Sequence, residues 1–128
     1  MNGLAELNGP AVLVVDDEVG MRDTLVAILE QHGYRAWSAP DGESALGAVQ
    51  EKEFDVVVMD IRMPGRDGVS VLQEIGMSPP RVILMTAYAM EDRLRAAASA
   101  SAFFAVLSKP FDPRRMLSLV ADASRADK

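Results

Sequence analysis

Cysteine is absent from this chain, which removes disulfides, thiol catalysis and thiolate metal sites together. Histidine is nearly absent as well. His32 stands alone, so a bound metal has to be held by oxygen, and oxygen donors favour a hard cation such as magnesium. Placed just before Gly33, His32 suits the C-terminus of a helix and its dipole, and no catalytic role is assigned to it. Long apolar runs are missing too. The longest, Ala102 to Leu107, falls far short of the roughly 20 residues that cross a bilayer, and no basic segment followed by an apolar stretch opens the chain. A cytoplasmic location and no membrane partner are expected. A basic stripe is the last absence: the net charge is -6 and the lysines and arginines are scattered, which repels polyanions and argues against direct nucleic-acid binding. Arg114 and Arg115 come closest, but beside Asp112 they read as a solvated face.

What is present is an ordinary globular composition, 49% hydrophobic and 25% charged, in a length suited to one core. Residues 11–123 are expected to form the domain, with 1–10 as an N-terminal extension and 124–128 as a C-terminal tail. Ala11 to Val15 is a β-branched run that ends abruptly in Asp16-Asp17-Glu18, the pattern of a strand buried on both faces. From Val19 to His32, Met21, Leu25, Ile28 and Leu29 recur at helical steps until Gly33 stops them. Tyr34 to Ala39 is a weaker strand, bounded by Pro40-Asp41-Gly42. Helix resumes near Asp41 on Ala45, Leu46, Ala48 and Val49, and Phe54 to Met59 forms a third strand ending in Asp60. Ile61 to Gly68 is rich in turn formers. A short helix, Val69 to Ile75, follows, then a breaker over 76–80. Arg81 to Met85 is a fourth strand, Tyr88 to Ser101 a helix by propensity, Phe103 to Leu107 a fifth strand, and Asp112-Pro113 opens a last helix.

Strands alternating with helices imply an α/β fold with a parallel sheet covered on both faces. In such sheets ligands sit beyond the carboxyl ends of the strands. There the chain places Asp16 and Asp17, Asp60, Thr86 and Lys109, each ending an apolar run. Acids this close raise one another's pKa unless a divalent cation relieves the repulsion. Magnesium accepts a few carboxylates together with a phosphate, while a hydroxyl and an ammonium neutralise phosphoryl oxygens. The set outlines a phosphoryl-transfer site. Singly, each residue has a plainer reading: Asp16 and Asp17 as helix N-cap and first-turn acids, Asp60 as a turn former, Lys109 as a solvated lysine.

In order, Val-Asp-Asp-Glu at 15–18, Met-Asp-Ile-Arg-Met-Pro-Gly-Arg-Asp-Gly at 59–68, Met-Thr-Ala-Tyr at 85–88 and Leu-Ser-Lys-Pro-Phe at 107–111 resemble the receiver domains of bacterial two-component response regulators. The likeness runs from about Ala11 to Val120, and the phrasing is similar to receivers of nitrogen-regulatory-type transcriptional activators. It implies a flavodoxin-like, doubly wound (βα)5 sandwich with strand order 2-1-3-4-5. It further implies that Asp60 accepts the phosphoryl group and that Asp16 and Asp17 position Mg2+ with Asp60 and the backbone carbonyl of Arg62. Thr86 and Lys109 would then contact the phosphoryl group, Ala87 would leave room for it, and Lys109-Pro110 would be cis. Implied partners are a sensor histidine kinase or histidine phosphotransfer protein upstream, an effector domain or protein downstream, and a second copy of the phosphorylated domain. Receivers speed their own phosphorylation and dephosphorylation without turning over a free substrate, so the chain is expected not to be an enzyme in that sense. Arg62 and Tyr88 lie where the family tunes phosphate lifetime.

Three residues before Lys109, where the family carries an aromatic switch, this chain has Val106. Phe103, Phe104 in a shifted register, or Tyr88 are the rings available in its place. The 76–80 segment is short, and a Ser-Ala or Ala-Phe replaces the family's Gly-Ala before the fifth strand. A dehalogenase-like phosphatase needs an aspartate where Arg62 stands, and a flavin binder needs hydroxyls and amides where Asp16-Asp17 stand. The alternative that remains is a phosphorylation-independent interaction module with a vestigial acidic site.

Overall fold

The computed structural model describes residues 9–75, 80–87 and 103–125. β1 (Ala11–Val15), β3 (Val56–Asp60) and β4 (Arg81–Thr86) are almost wholly buried, as expected of β-branched runs with no polar alternation. β2 (Arg35–Ala39) and β5 (Ala105–Ser108) are partly exposed and lie at the two edges of one parallel sheet of order β2-β1-β3-β4-β5. That is the predicted order.

Alternation along the inner strands divides the core in two. Leu13, Val15, Val57, Met59 and Leu84 face α2 (Gly42–Glu51) and α3 (Gly68–Ile75). Val12, Val14, Val58, Ile83, Met85 and Leu107 face α1 (Val19–Gln31) and α4 (Pro113–Arg125). Burying each such side chain contributes about 1.5–3 kcal/mol, so a one-residue register slip, which would exchange the faces, is strongly disfavoured. The register therefore fixes the strand ends: Val15 pairs with Met59, Asp60 with Met85 and Thr86 with Ser108. The predicted helix over 88–101 lies outside the described residues. Among the described residues no helix is long and apolar enough to cross a membrane.

Several boundaries differ from the sequence expectation. The fifth strand begins at Ala105 rather than Phe103, because Phe103 packs into the α2–α3 core before the strand starts. α3 begins at Gly68, since the Asp67 carboxylate accepts the Ser70 N–H at 2.9 Å and so serves as the cap. Gly33 takes φ +90° just past the α1 terminus, the left-handed geometry that glycine accepts without strain. Trp37 is exposed on β2, edge-on to Phe54 with the Lys52 ammonium 4.2 Å above its ring, a packing and surface role. His32 Nδ1 donates to the Ile28 carbonyl at 2.9 Å, which occupies it at the helix end.

Candidate functional site: an acidic cluster at the strand ends

Asp16 follows β1 directly and is 1% exposed. Its backbone is pinned from both sides: its N–H donates to the Ala39 carbonyl at 3.3 Å, and its own carbonyl accepts Arg22 Nη1 from α1 at 2.8 Å. Oδ1 accepts the Glu18 N–H at 2.9 Å, which leaves Oδ2 to meet Lys109 Nζ at 3.1 Å. Asp60, last residue of β3, accepts the Arg62 N–H on Oδ1 at 3.1 Å and Lys109 Nζ on Oδ2 at 2.8 Å. Asp17 is exposed at the mouth. One carboxylate oxygen from each of Asp16, Asp17 and Asp60 lies within 4.8 Å of the others.

The cation reaches this point because β5 delivers it. The Lys109 N–H donates to the Thr86 carbonyl at 2.7 Å, one residue beyond the Thr86–Ser108 pair, and the Lys109–Pro110 peptide is cis. Thr86 is 1% exposed at the end of β4, beside β3 and β5. Ala87 is exposed and, with Lys109, Pro110 and Phe111 on one side and Met21 and Leu25 on the other, lines an open, apolar groove of about 420 Å3.

Burial drives the Asp60 carboxyl above the ordinary carboxylate pKa; the Asp16 charge adds to this, while the Lys109 ammonium and the Arg62 N–H oppose it without prevailing. Burial works the other way on Lys109, but its hydrogen bonds and charge contacts with Asp60 and Asp16 outweigh it and raise the ammonium pKa. Together these describe a site short of positive charge: one ammonium shared by two buried carboxylates, with a third close by. The donor set is all oxygen, and an octahedral hard cation with metal–oxygen distances of about 2.0–2.1 Å spans roughly the same width as the carboxylate cluster. The residues fit such an ion.

The sequence-predicted residues Asp16, Asp17, Asp60, Thr86 and Lys109 thus all lie at the carboxyl ends of four neighbouring strands. The helix-cap reading of Asp16 and Asp17 is not what forms: Glu18 occupies the N-cap position, without a side-chain cap, and Asp16 accepts the Glu18 N–H instead. Val106 is half-buried in β5, opposite Leu84. Phe103 is committed to the core, Phe104 is 37% exposed, and Tyr88 lies outside the described residues. Two basic residues escaped the sequence reading. Arg22 holds the Asp16 carbonyl from the first turn of α1, and Arg66, in the loop after Asp60, pairs with Glu74 and Glu43; neither falls in an apolar run or at a strand end.

Comparison with known proteins bears on this arrangement. The family model for the response regulator receiver domain matches residues 12–121. The chain belongs to that family. As a receiver domain it is 34% identical over 103 residues to sporulation initiation phosphotransferase F of Bacillus subtilis, covering 79% of this chain and 82% of that protein. It is 41% identical over 103 residues to the regulatory protein AtoC of Escherichia coli, covering 79% of this chain but 22% of AtoC. The resemblance to receivers of nitrogen-regulatory-type activators therefore holds, and the receiver spans about a quarter of the length of such relatives. Among solved structures, the response regulator TrrA of Thermotoga maritima in complex with Mg(2+)-BeF superposes with a TM-score of 0.78 at 32% identity, covering 89% of this chain and 98% of that one.

Proposed function

We propose that this receiver, over residues 11–123, accepts a phosphoryl group on Asp60 from a phosphohistidine of a sensor kinase or phosphotransfer protein, in a magnesium-dependent step, and thereby switches an output domain or partner in the cytoplasm. The observation that carries the proposal is Lys109 Nζ lying 2.8 Å from Asp60 and 3.1 Å from Asp16, with the Asp17 carboxylate beside them. An acid that only capped a turn would need neither a buried partner acid nor a shared ammonium. The likeness to a receiver determined with Mg(2+)-BeF supports the same reading.

Asp16, Asp17, Asp60 and the backbone carbonyl of Arg62 would hold Mg2+, which supplies charge neutralisation of phosphoryl oxygens and of the crowded acids. The chain's own residues do the rest. An Asp60 carboxylate oxygen attacks phosphorus; the new P–O bond forms as the P–N bond breaks and its electron pair returns to the donor imidazole. The Arg62 N–H keeps the Asp60 carboxylate oriented. Lys109, already drawn to Asp60, offsets the charge that arrives on the phosphoryl oxygens, and Thr86 offers a hydroxyl from the adjoining strand end. Ala87, with no side chain beyond Cβ, and Pro110 border the approach. Val106 in place of a ring concerns how the phosphorylated state is read out, not how it forms. The domain acts as a phosphoacceptor switch rather than a turnover catalyst.

The proposal is tested with phosphoramidate, a simple donor with a P–N bond. In Mg2+ the domain should acquire a hydroxylamine-labile acyl phosphate, and chelation with EDTA should prevent it. Equal labelling with and without Mg2+, or a hydroxylamine-stable product, contradicts the mechanism.

A further inference from the structure

The loop after Asp60, residues 61–67, carries the Arg62 groups that orient Asp60 and complete the proposed ion site, so what holds this loop matters. Its two ends meet: the Gly68 N–H donates to the Ile61 carbonyl at 2.7 Å. Gly68 packs so closely that a Cβ there would lie 2.6 Å from the Asp60 carbonyl oxygen. The far end of the loop is therefore in direct contact with the Asp60–Ile61 backbone. At that far end stands Arg66. Its guanidinium donates to Glu74 Oε1 at 2.7 Å and to Ser70 Oγ at 3.0 and 3.2 Å, both on α3, and to Glu43 Oε2 of α2 at 3.5 Å. Its Cβ and carbonyl press on Gly42, where an added Cβ would meet them at 3.0 and 3.1 Å. One side chain thus ties the loop to two helices, using the guanidinium's fixed fork, which an ammonium cannot reproduce.

We propose that Arg66 is a positioning residue: by clamping the 61–67 loop to α2 and α3 it sets the affinity of the acidic cluster for a divalent cation. This rests on the magnesium reading given above. Glu43 and Glu74 are 75% and 52% exposed, so the clamp is a modest one, and its removal should weaken cation binding by about two- to fivefold.

Calorimetric titration with Mg2+ alone, paired with phosphorylation rates across a Mg2+ series, tests it. Arg66→Ala should raise the half-saturating Mg2+ concentration by about two- to fivefold while leaving the rate at saturating Mg2+ unchanged. Glu74→Gln should give part of that shift, and Arg66→Lys should restore part of the loss. The Arg66→Ala/Glu74→Gln double variant should be no weaker than Arg66→Ala. Superimposable Mg2+ titrations of Arg66→Ala and the wild type overturn the clamp, as does a lower saturating rate with an unshifted half-saturation. Should Arg66→Ala fail to fold, Glu74→Gln decides alone by the same criterion. A wild type that binds no Mg2+ overturns the magnesium reading itself, and with it the clamp; that result is separate from a wild type that binds and a variant that binds equally well.

Discussion

Asp60 is held under two opposed demands, and its stability signature follows from which one wins. Burial, reinforced by the Asp16 charge, outweighs Lys109 and the Arg62 N–H, so the folded carboxyl binds its proton more tightly than in the unfolded chain. Stability therefore declines as pH rises from the ordinary carboxylate range through the raised Asp60 value, and remains lower above it. Asp60→Asn removes this cost. Without metal at pH 7 it should melt higher than the wild type by roughly 2–6 °C, and the gap should close as the pH falls to about 4; a gap independent of pH contradicts the assignment. Lys109 shifts in the same direction, although here it is the charged form that the fold favours. Its raised pKa contributes stability that is complete below the ordinary ammonium value of 10.5 and is lost above the raised one. Lys109→Met leaves two buried carboxylates without their cation, and with Lys109 21% exposed the cost, read from urea unfolding, should be about 1–3 kcal/mol. Changing Arg62 should alter the lifetime of the Asp60 phosphate, measured by decay of the acyl phosphate, and an unchanged half-life would count against its tuning role. These acids, the hydroxyl and the ammonium were legible in the sequence because each interrupts an apolar run, a contrast that burial imposes. Arg22 and Arg66 were not, because a basic residue on a helix or in a polar loop looks the same whether it is solvated or bonded.

Among the elements, the central strands were the plainest to read, since β1, β3 and β4 are covered on both faces and so carry unbroken β-branched runs. The edges were harder. In β5 the apolar run starts earlier than the strand because Phe103 serves the core from outside the sheet. The start of α3 was missed for a related reason: Gly68 reads as a turn former, but its lack of a Cβ is what lets the first turn of the helix press on the Asp60 carbonyl. Gly68→Ala should consequently force a backbone shift at Asp60. We expect it to destabilise the fold by about 1–3 kcal/mol and to slow phosphorylation together; full activity in a stably folded Gly68→Ala protein would contradict the contact. The four-residue steps from Arg66 to Ser70 to Glu74 were a usable signal for the clamp, masked because Arg66 precedes the helix.

At the scale of the whole molecule, the parallel sheet explains both the fold's stability and the cost of its site. Pairing Asp60 with Met85 and Thr86 with Ser108 aligns the strand ends, and alignment gathers like charges that the apolar core cannot relieve. An ion that binds only the folded state should stabilise it: at ten times its dissociation constant Mg2+ should add about 1.4 kcal/mol to the wild type and nothing comparable to Asp60→Asn, read as a shift in melting temperature. The central claim, that four strand ends build a single phosphoacceptor at Asp60, is tested most directly by intact mass and peptide mapping after incubation with acetyl phosphate. In Mg2+ the wild type should gain the mass of one phosphoryl group on the peptide containing Asp60, and Asp60→Asn should gain none; a phosphoryl group on any other residue of the wild type, or one retained by Asp60→Asn, would contradict it.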